Sequence, residues 1–187
     1  MDYYLDLVIL PDAELSQNTI MNVIGTRLHQ FLVLEKGVKI GSSFPGYSLK
    51  PRTLGPVIRL HGIEGDLEKI VASRWLNVLR DYVRFDLIEK KPNDCQYIDV
   101  RRVQAKSSIH RLARRYSRRH GVNIIEALER YKNIEEERLK YPFLNLNSKS
   151  TGQRYNLFIK QSTPHSQKKE GEFNSFGLSS TASLPWF

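Results

Sequence analysis

The stretch from Tyr3 to Leu10 is dense in leucine, aromatic and β-branched residues, with Asp6 inside it. It predicts a strand with one covered face. Pro11-Asp12 then turns the chain. From Ser16 to Leu34 the apolar residues Ile20, Val23, Ile24, Leu28, Phe31 and Leu34 recur at helical spacing. Ser16 is placed to cap that helix, and Gly37 ends it. Lys39 to Pro45 reads as a short extended piece, Tyr47 to Gly55 as a polar loop, and Val57 to His61 as a second strand. Gly65-Asp66 opens a second helix whose apolar side is Leu67, Ile70, Val71, Trp75, Val78 and Leu79. Tyr82 to Ile88 is a further strand, and Pro92-Asn93-Asp94 looks like a boundary.

Beyond the boundary, Gln96 to Val103 alternates like a strand. Ser107 or Ser108 caps a strongly basic helix that Gly121 closes. Another helix runs from Ile124 to about Leu139. Phe143–Leu146 and Tyr155–Ile159 flank a polar turn, Asn147 to Gln153, and read as a hairpin. The tail from Phe173 to Phe187 is too apolar to be free and is expected to pack. The pattern is α+β. An N-terminal ferredoxin-like (RRM-like) domain over 1–92 is followed, over 93–187, by an α+β region with the basic helix (108–120) and the hairpin (143–160).

Charge sharpens the picture. The 187 residues hold 29 Lys and Arg against 20 Asp and Glu, a net charge of +9 and a pI near 9.7. Such a balance favours a polyanionic partner. The single cysteine excludes an internal disulfide and suits a reducing cytoplasm. No run is apolar enough to span a membrane, and the acidic start is unlike a signal peptide.

The positive charge is concentrated. Between Arg101 and His120 stand seven arginines and one lysine, and no acid. On a helix, Arg111, Arg114, Arg115 and Arg118 share one face, while Ile109, Leu112, Ala113 and Tyr116 form the other. With no acid on the helix, like charges at i,i+4 repel, and an external polyanion relieves them. Arginine's planar fork suits phosphate and the guanine edge. A DNA-binding regulator remains an alternative, because a helix enters the DNA major groove readily. So does a non-catalytic cap that binds an RNA hairpin.

Four segments carry a resemblance: "RVQAKSS" leading into the arginine helix, "SKSTGQRYNLFI", "LHQ" on the first helix, and "FGLSS" with "LPWF" in the tail. In order and spacing, over essentially the whole chain, they resemble the type I-F CRISPR-associated endoribonuclease of the CRISPR-associated RAMP group. The resemblance implies metal-independent cleavage at the 3′ base of a repeat stem-loop to make guide RNA, with no cofactor. It implies a bound product and partners among the effector-complex subunits, especially the backbone subunit, and neither a membrane nor duplex DNA as a direct partner. It implies that Arg114, Arg115, Arg118, Arg119 and His120, with Arg111 on the same face, line the stem's major groove. Arg102 and Gln104 would read base edges, and Tyr155 would stack beneath the terminal base pair. His29 and Ser148 match the cleavage pair, supported by Ser150, Thr151 and Phe176. Some members carry tyrosine where this chain has Phe176, so here that ring can only pack, with at most a modest loss of rate expected.

The residues themselves allow this chemistry. A histidine titrates near neutrality and suits general-base work. His29 points away from the apolar side of its helix. Ser148 sits in a hydroxyl-rich turn that equally suits simple turn hydrogen bonding. His61, His110, His120 and His165 show no metal-ligand spacing.

Overall fold

The computed structural model describes residues 1–104, 108–133, 139–148 and 152–187. The chain forms two compact units. One comprises Met1–Val103 and Tyr141–Phe187, the other Gln104–Lys140. The first therefore draws strands from both 1–92 and 93–187.

Strand β1 (Tyr3–Ile9) buries Leu5, Leu7 and Ile9 on one face, as alternation requires. Helix α1 (Gln17–Leu34) is capped by Ser16, whose hydroxyl accepts the Thr19 N–H at 3.2 Å. Its buried stripe is Ile20, Met21, Ile24, Leu28 and Phe31. After β2 (Gly41–Ser43), the expected loop at 47–55 instead holds a small ladder, β3 (Ser48–Leu49) against β4 (Arg52–Thr53). Strand β5 (Val57–Gly62) pairs with β1, setting Leu5 opposite Leu60 and Leu7 opposite Ile58. Helix α2 (Glu64–Ala72) is followed by β6 (Val83–Phe85) and β7 (Glu89–Lys90). The sheet order is β2-β5-β1-β6, with every pairing antiparallel and β7 adding to the same edge of β1 as β6.

Two expectations need correction here. The second helix stops at Ala72, before much of its predicted apolar side. Ser73 turns extended, Trp75 instead donates its indole N–H to the Ile70 carbonyl at 3.1 Å, and Val71 and Val78 face solvent. The alternating run after residue 96 is also not one strand. It divides at Asp99 into β8 (Gln96–Ile98) and β9 (Val100–Val103), which join different sheets.

In the same unit, β10 (Phe143–Asn147) and β11 (Arg154–Gln161) form the predicted hairpin, and β9 adds to the far side of β11. Leu144, Leu146, Leu157 and Ile159 point into the core shared with α1 and β1. The tail packs as expected. β12 (Leu184–Trp186) pairs with β8, and Leu178 and Leu184 are buried.

The second unit is small. Helix α3 (Ile109–His120) meets α4 (Ile124–Tyr131), with Ala113 and Ala127 wholly buried. Ser108 accepts the Arg111 N–H, and Gly121 (φ 66°) closes α3 in the left-handed conformation. The predicted extension of α4 beyond residue 133 falls partly outside the described residues. Four α-helices and several antiparallel sheets among the described residues make the chain α+β.

Candidate functional site

His29 follows Leu28 on α1 and so falls just off the buried stripe. It is half-buried, because the tail covers it. Its Nδ1 lies 3.3 Å from the Ser175 carbonyl oxygen. A carbonyl only accepts, so Nδ1 carries the proton and donates it. A neutral ring then keeps Nε2 as an acceptor. The Phe176 ring stacks on the imidazole, with centroids 4.1 Å apart and planes 7° from parallel.

The tail that makes these contacts is a closed turn. Asn174 Oδ1 accepts the N–H groups of Phe176 (2.8 Å) and Leu178 (3.2 Å). The Gly177 N–H donates to the Asn174 carbonyl at 2.8 Å, and the Asn174 N–H to the Leu178 carbonyl at 2.9 Å. Gly177 adopts φ 69° and lies directly against Ser42, whose N–H donates to the Gly177 carbonyl at 2.7 Å. A side chain at 177 would meet both strain and Ser42.

Ser148 belongs to the hairpin. Strand β10 lies across α1, where the Asn145 N–H donates to Asn22 Oδ1 at 2.8 Å and Leu144 packs on Gly25. Just beyond β10, the Ser148 N–H donates to the Gln153 carbonyl (2.9 Å), and the Gly152 N–H donates to the Ser148 carbonyl (2.8 Å). Ser150 and Thr151 lie outside the described residues. Tyr155, opposite Leu146 on β11, is half-buried against the core. Arg102 on β9 pairs with Ile159 and is exposed.

Gln104 is exposed and is counted with the second unit. There Arg111, Arg114, Arg115, Arg118 and Arg119 are all exposed, and none forms an ion pair with a described residue. His120 is exposed, and its ring rests on Tyr116 at 4.3 Å. Tyr116 also meets Tyr131 edge-on and carries the Arg130 guanidinium 4.8 Å above its ring. An aromatic hinge between α3 and α4 thus leaves the arginine face open.

Sequence reasoning passed over Asn174, Ser42 and the Ser175 carbonyl. The run Asn-Ser-Phe-Gly is a turn signal, but nothing in it points at His29. Of the other histidines, His61 is fully buried and bonds Ser43 Oγ through Nε2 at 2.9 Å. Burial, with the Arg59 charge, pushes its pKa down to about 3, so it stays neutral. No group of three His, Cys, Asp or Glu side chains able to hold a metal occurs among the described residues. No described helix is long and apolar enough to cross a membrane.

Residues 4–187 match the family described as CRISPR-associated protein (Cas_Csy4). The chain is 40% identical over 187 residues to the CRISPR-associated endonuclease Cas6/Csy4 of Pseudomonas aeruginosa (strain UCBPP-PA14), covering 100% of both. It is 37% identical, again over 100% of both, to the CRISPR-associated endonuclease Cas6/Csy4 of Escherichia coli (strain UTI89 / UPEC). The chain belongs to the Cas_Csy4 family.

Proposed function

We propose that this chain is an endoribonuclease that cuts CRISPR repeat RNA at the 3′ base of its stem-loop, without a metal ion, and keeps the product. The relatives are named endonucleases, which supports the activity. The observation that carries the chemistry is the His29 ring, with Nδ1 bonded to the Ser175 carbonyl and Nε2 left to accept a proton.

Nε2 of His29 takes the proton of the 2′-hydroxyl before the scissile phosphate. The 2′-oxygen attacks phosphorus in line, the O2′–P bond forms and the P–O5′ bond breaks. The 5′-oxygen takes up a proton from water and leaves as a hydroxyl, and the other product ends in a 2′,3′-cyclic phosphate. Proton transfer of this kind contributes roughly a hundred- to ten-thousandfold. Ser148 orients the 2′-hydroxyl, Ser150 and Thr151 support it, and Phe176 packs the imidazole in place.

Arg111, Arg114, Arg115, Arg118, Arg119 and His120 hold the stem's phosphates and line its major groove. Arg102 and Gln104 read base edges at the foot of the stem, and Tyr155 stacks beneath the last pair. The range 1–92 is ferredoxin-like: the order β2-β5-β1-β6, with α1 after β1 and α2 after β5, supports it. That range carries the catalytic histidine, and 93–187 supplies most of the RNA contacts. In the cytoplasm the protein stays on the guide RNA's 3′ end, beside the effector's backbone subunit.

The test is a labelled repeat hairpin in excess EDTA, with wild type beside His29→Ala. Cutting at the 3′ base by the wild type alone, with RNA still bound by the variant, is expected. If both proteins bind the hairpin and neither cuts, the chain is an RNA-binding cap and the proposal fails. Preference for duplex DNA over the hairpin would overturn it equally.

A further inference from the structure

We propose that Asn174 is a positioning residue for His29, acting through the Ser175 carbonyl to set which ring nitrogen carries the proton. The inference rests on His29 being the base.

Phe176 has no polar atom, so its stacking holds the ring's plane and leaves the proton's position undetermined. The hydrogen bond at Nδ1 determines it, since a neutral imidazole that donates from Nδ1 must accept at Nε2. The same carbonyl stabilises the imidazolium that forms when Nε2 takes a proton, as any acceptor at the far nitrogen does. The carbonyl works only if it stays aimed at the ring. Ser175 lies between two anchors. On one side the Asn174 carboxamide oxygen bridges the N–H groups of Phe176 and Leu178. On the other, Gly177 is pinned to Ser42 on β2. The Gly177 anchor is backbone and packing. The Asn174 anchor is a single exposed side chain. Removing it takes away the side-chain bonds that aim the Ser175 oxygen, while the backbone bonds of Asn174 to Gly177 and Leu178 and the buried Gly177 contact stay in place.

The experiment reads the tautomer directly. The ring nitrogens of His29 are assigned by ¹⁵N NMR in the full chain, at a pH where the ring is neutral. Asn174→Ala and Asn174→Asp are compared with wild type, and single-turnover cleavage and hairpin Kd are measured alongside. Asp keeps the accepting oxygen. Wild type and Asn174→Asp are expected to show the proton on Nδ1, and Asn174→Ala a mixture. Cleavage by Asn174→Ala should fall by at least about tenfold, short of the ~10⁴-fold that a wrong histidine tautomer costs a serine protease. Its Kd for RNA should not change, and Asn174→Asp should cut near the wild-type rate.

A wild-type His29 protonated on Nε2 overturns the proposal, whatever the variants do. So does an Asn174→Ala protein that keeps both tautomer and rate, or one that loses rate with the tautomer unmoved. If wild type fails to cut at all, the enzyme reading falls, yet the tautomer data still decide the role of Asn174.

Discussion

His61 shows what burial does to a single side chain. It is enclosed, bonded to Ser43 and held neutral, with a pKa near 3 against 6.5 when free. Below pH 6.5 the unfolded chain takes up a proton that the folded chain refuses, so stability falls as pH falls. The slope is about 1.4 kcal/mol per pH unit, or ~2 kcal/mol between pH 6.5 and 5. Urea titrations at both pH values should show that loss, and His61→Gln should lose less across the same interval. An equal slope in both proteins would mean that other groups dominate. The sequence does not mark His61 as buried, since an alternating strand shows which residues share a face but not whether both faces are covered. His29 is legible to a similar extent. Its place off the apolar stripe can be read from Ile20, Leu28 and Phe31. The carbonyl that bonds it comes from 146 positions away, and no local pattern encodes that meeting.

At the level of elements, α3 is a helix whose arginine side has nothing described to neutralise it. Each phosphate it neutralises adds about 0.9 to the salt slope of a duplex complex. Changing Arg111, Arg114, Arg115 and Arg118 together to Gln should flatten a plot of log Kd against log salt by up to about 3–4 units for the hairpin stem. An unchanged slope would remove α3 from the interface. Helix α3 was fully readable, because cap, apolar stripe and closing glycine agree. So was the β10–β11 hairpin, and so was α1 apart from Leu34, which the spacing placed on the apolar side and which is exposed. The break between β8 and β9 was not. The alternation runs straight through Asp99, yet the chain changes sheets there. The signals are distant: Ser162 Oγ accepts the Asp99 N–H at 3.0 Å, and Lys169 and His165 gather on its carboxylate. Burial alone would raise that carboxyl's pKa, but Lys169 and then His165 pull it below the ordinary range.

For the whole molecule, the charge of +9 and the bared arginines argue for a complex that dissociates slowly. With RNA in excess, cleavage should show a burst of about one product per enzyme, then a much slower phase set by release. Raising the salt should speed that second phase as the phosphate contacts weaken. Steady multiple turnover from the first cycle would show that product is not retained. The division into two units was hidden from the sequence, which offered Pro92-Asn93-Asp94 as its clearest break. Compactness depends on which strands pair, and β10 to β12 return to the first unit after the chain's long excursion through residues 104–140.

That excursion leaves and re-enters the first unit by neighbouring doors. Val103, the last residue of β9, and Phe143, the first of β10, both stand opposite Phe158 on the strand between them. Two strand spacings are only about 10 Å, a gap that three or four residues span. The helix pair is therefore an insertion in a body whose sheets close without it. Substitutions within residues 104–140 can then alter the arginine-bearing pair without removing a strand from the sheets of the first unit.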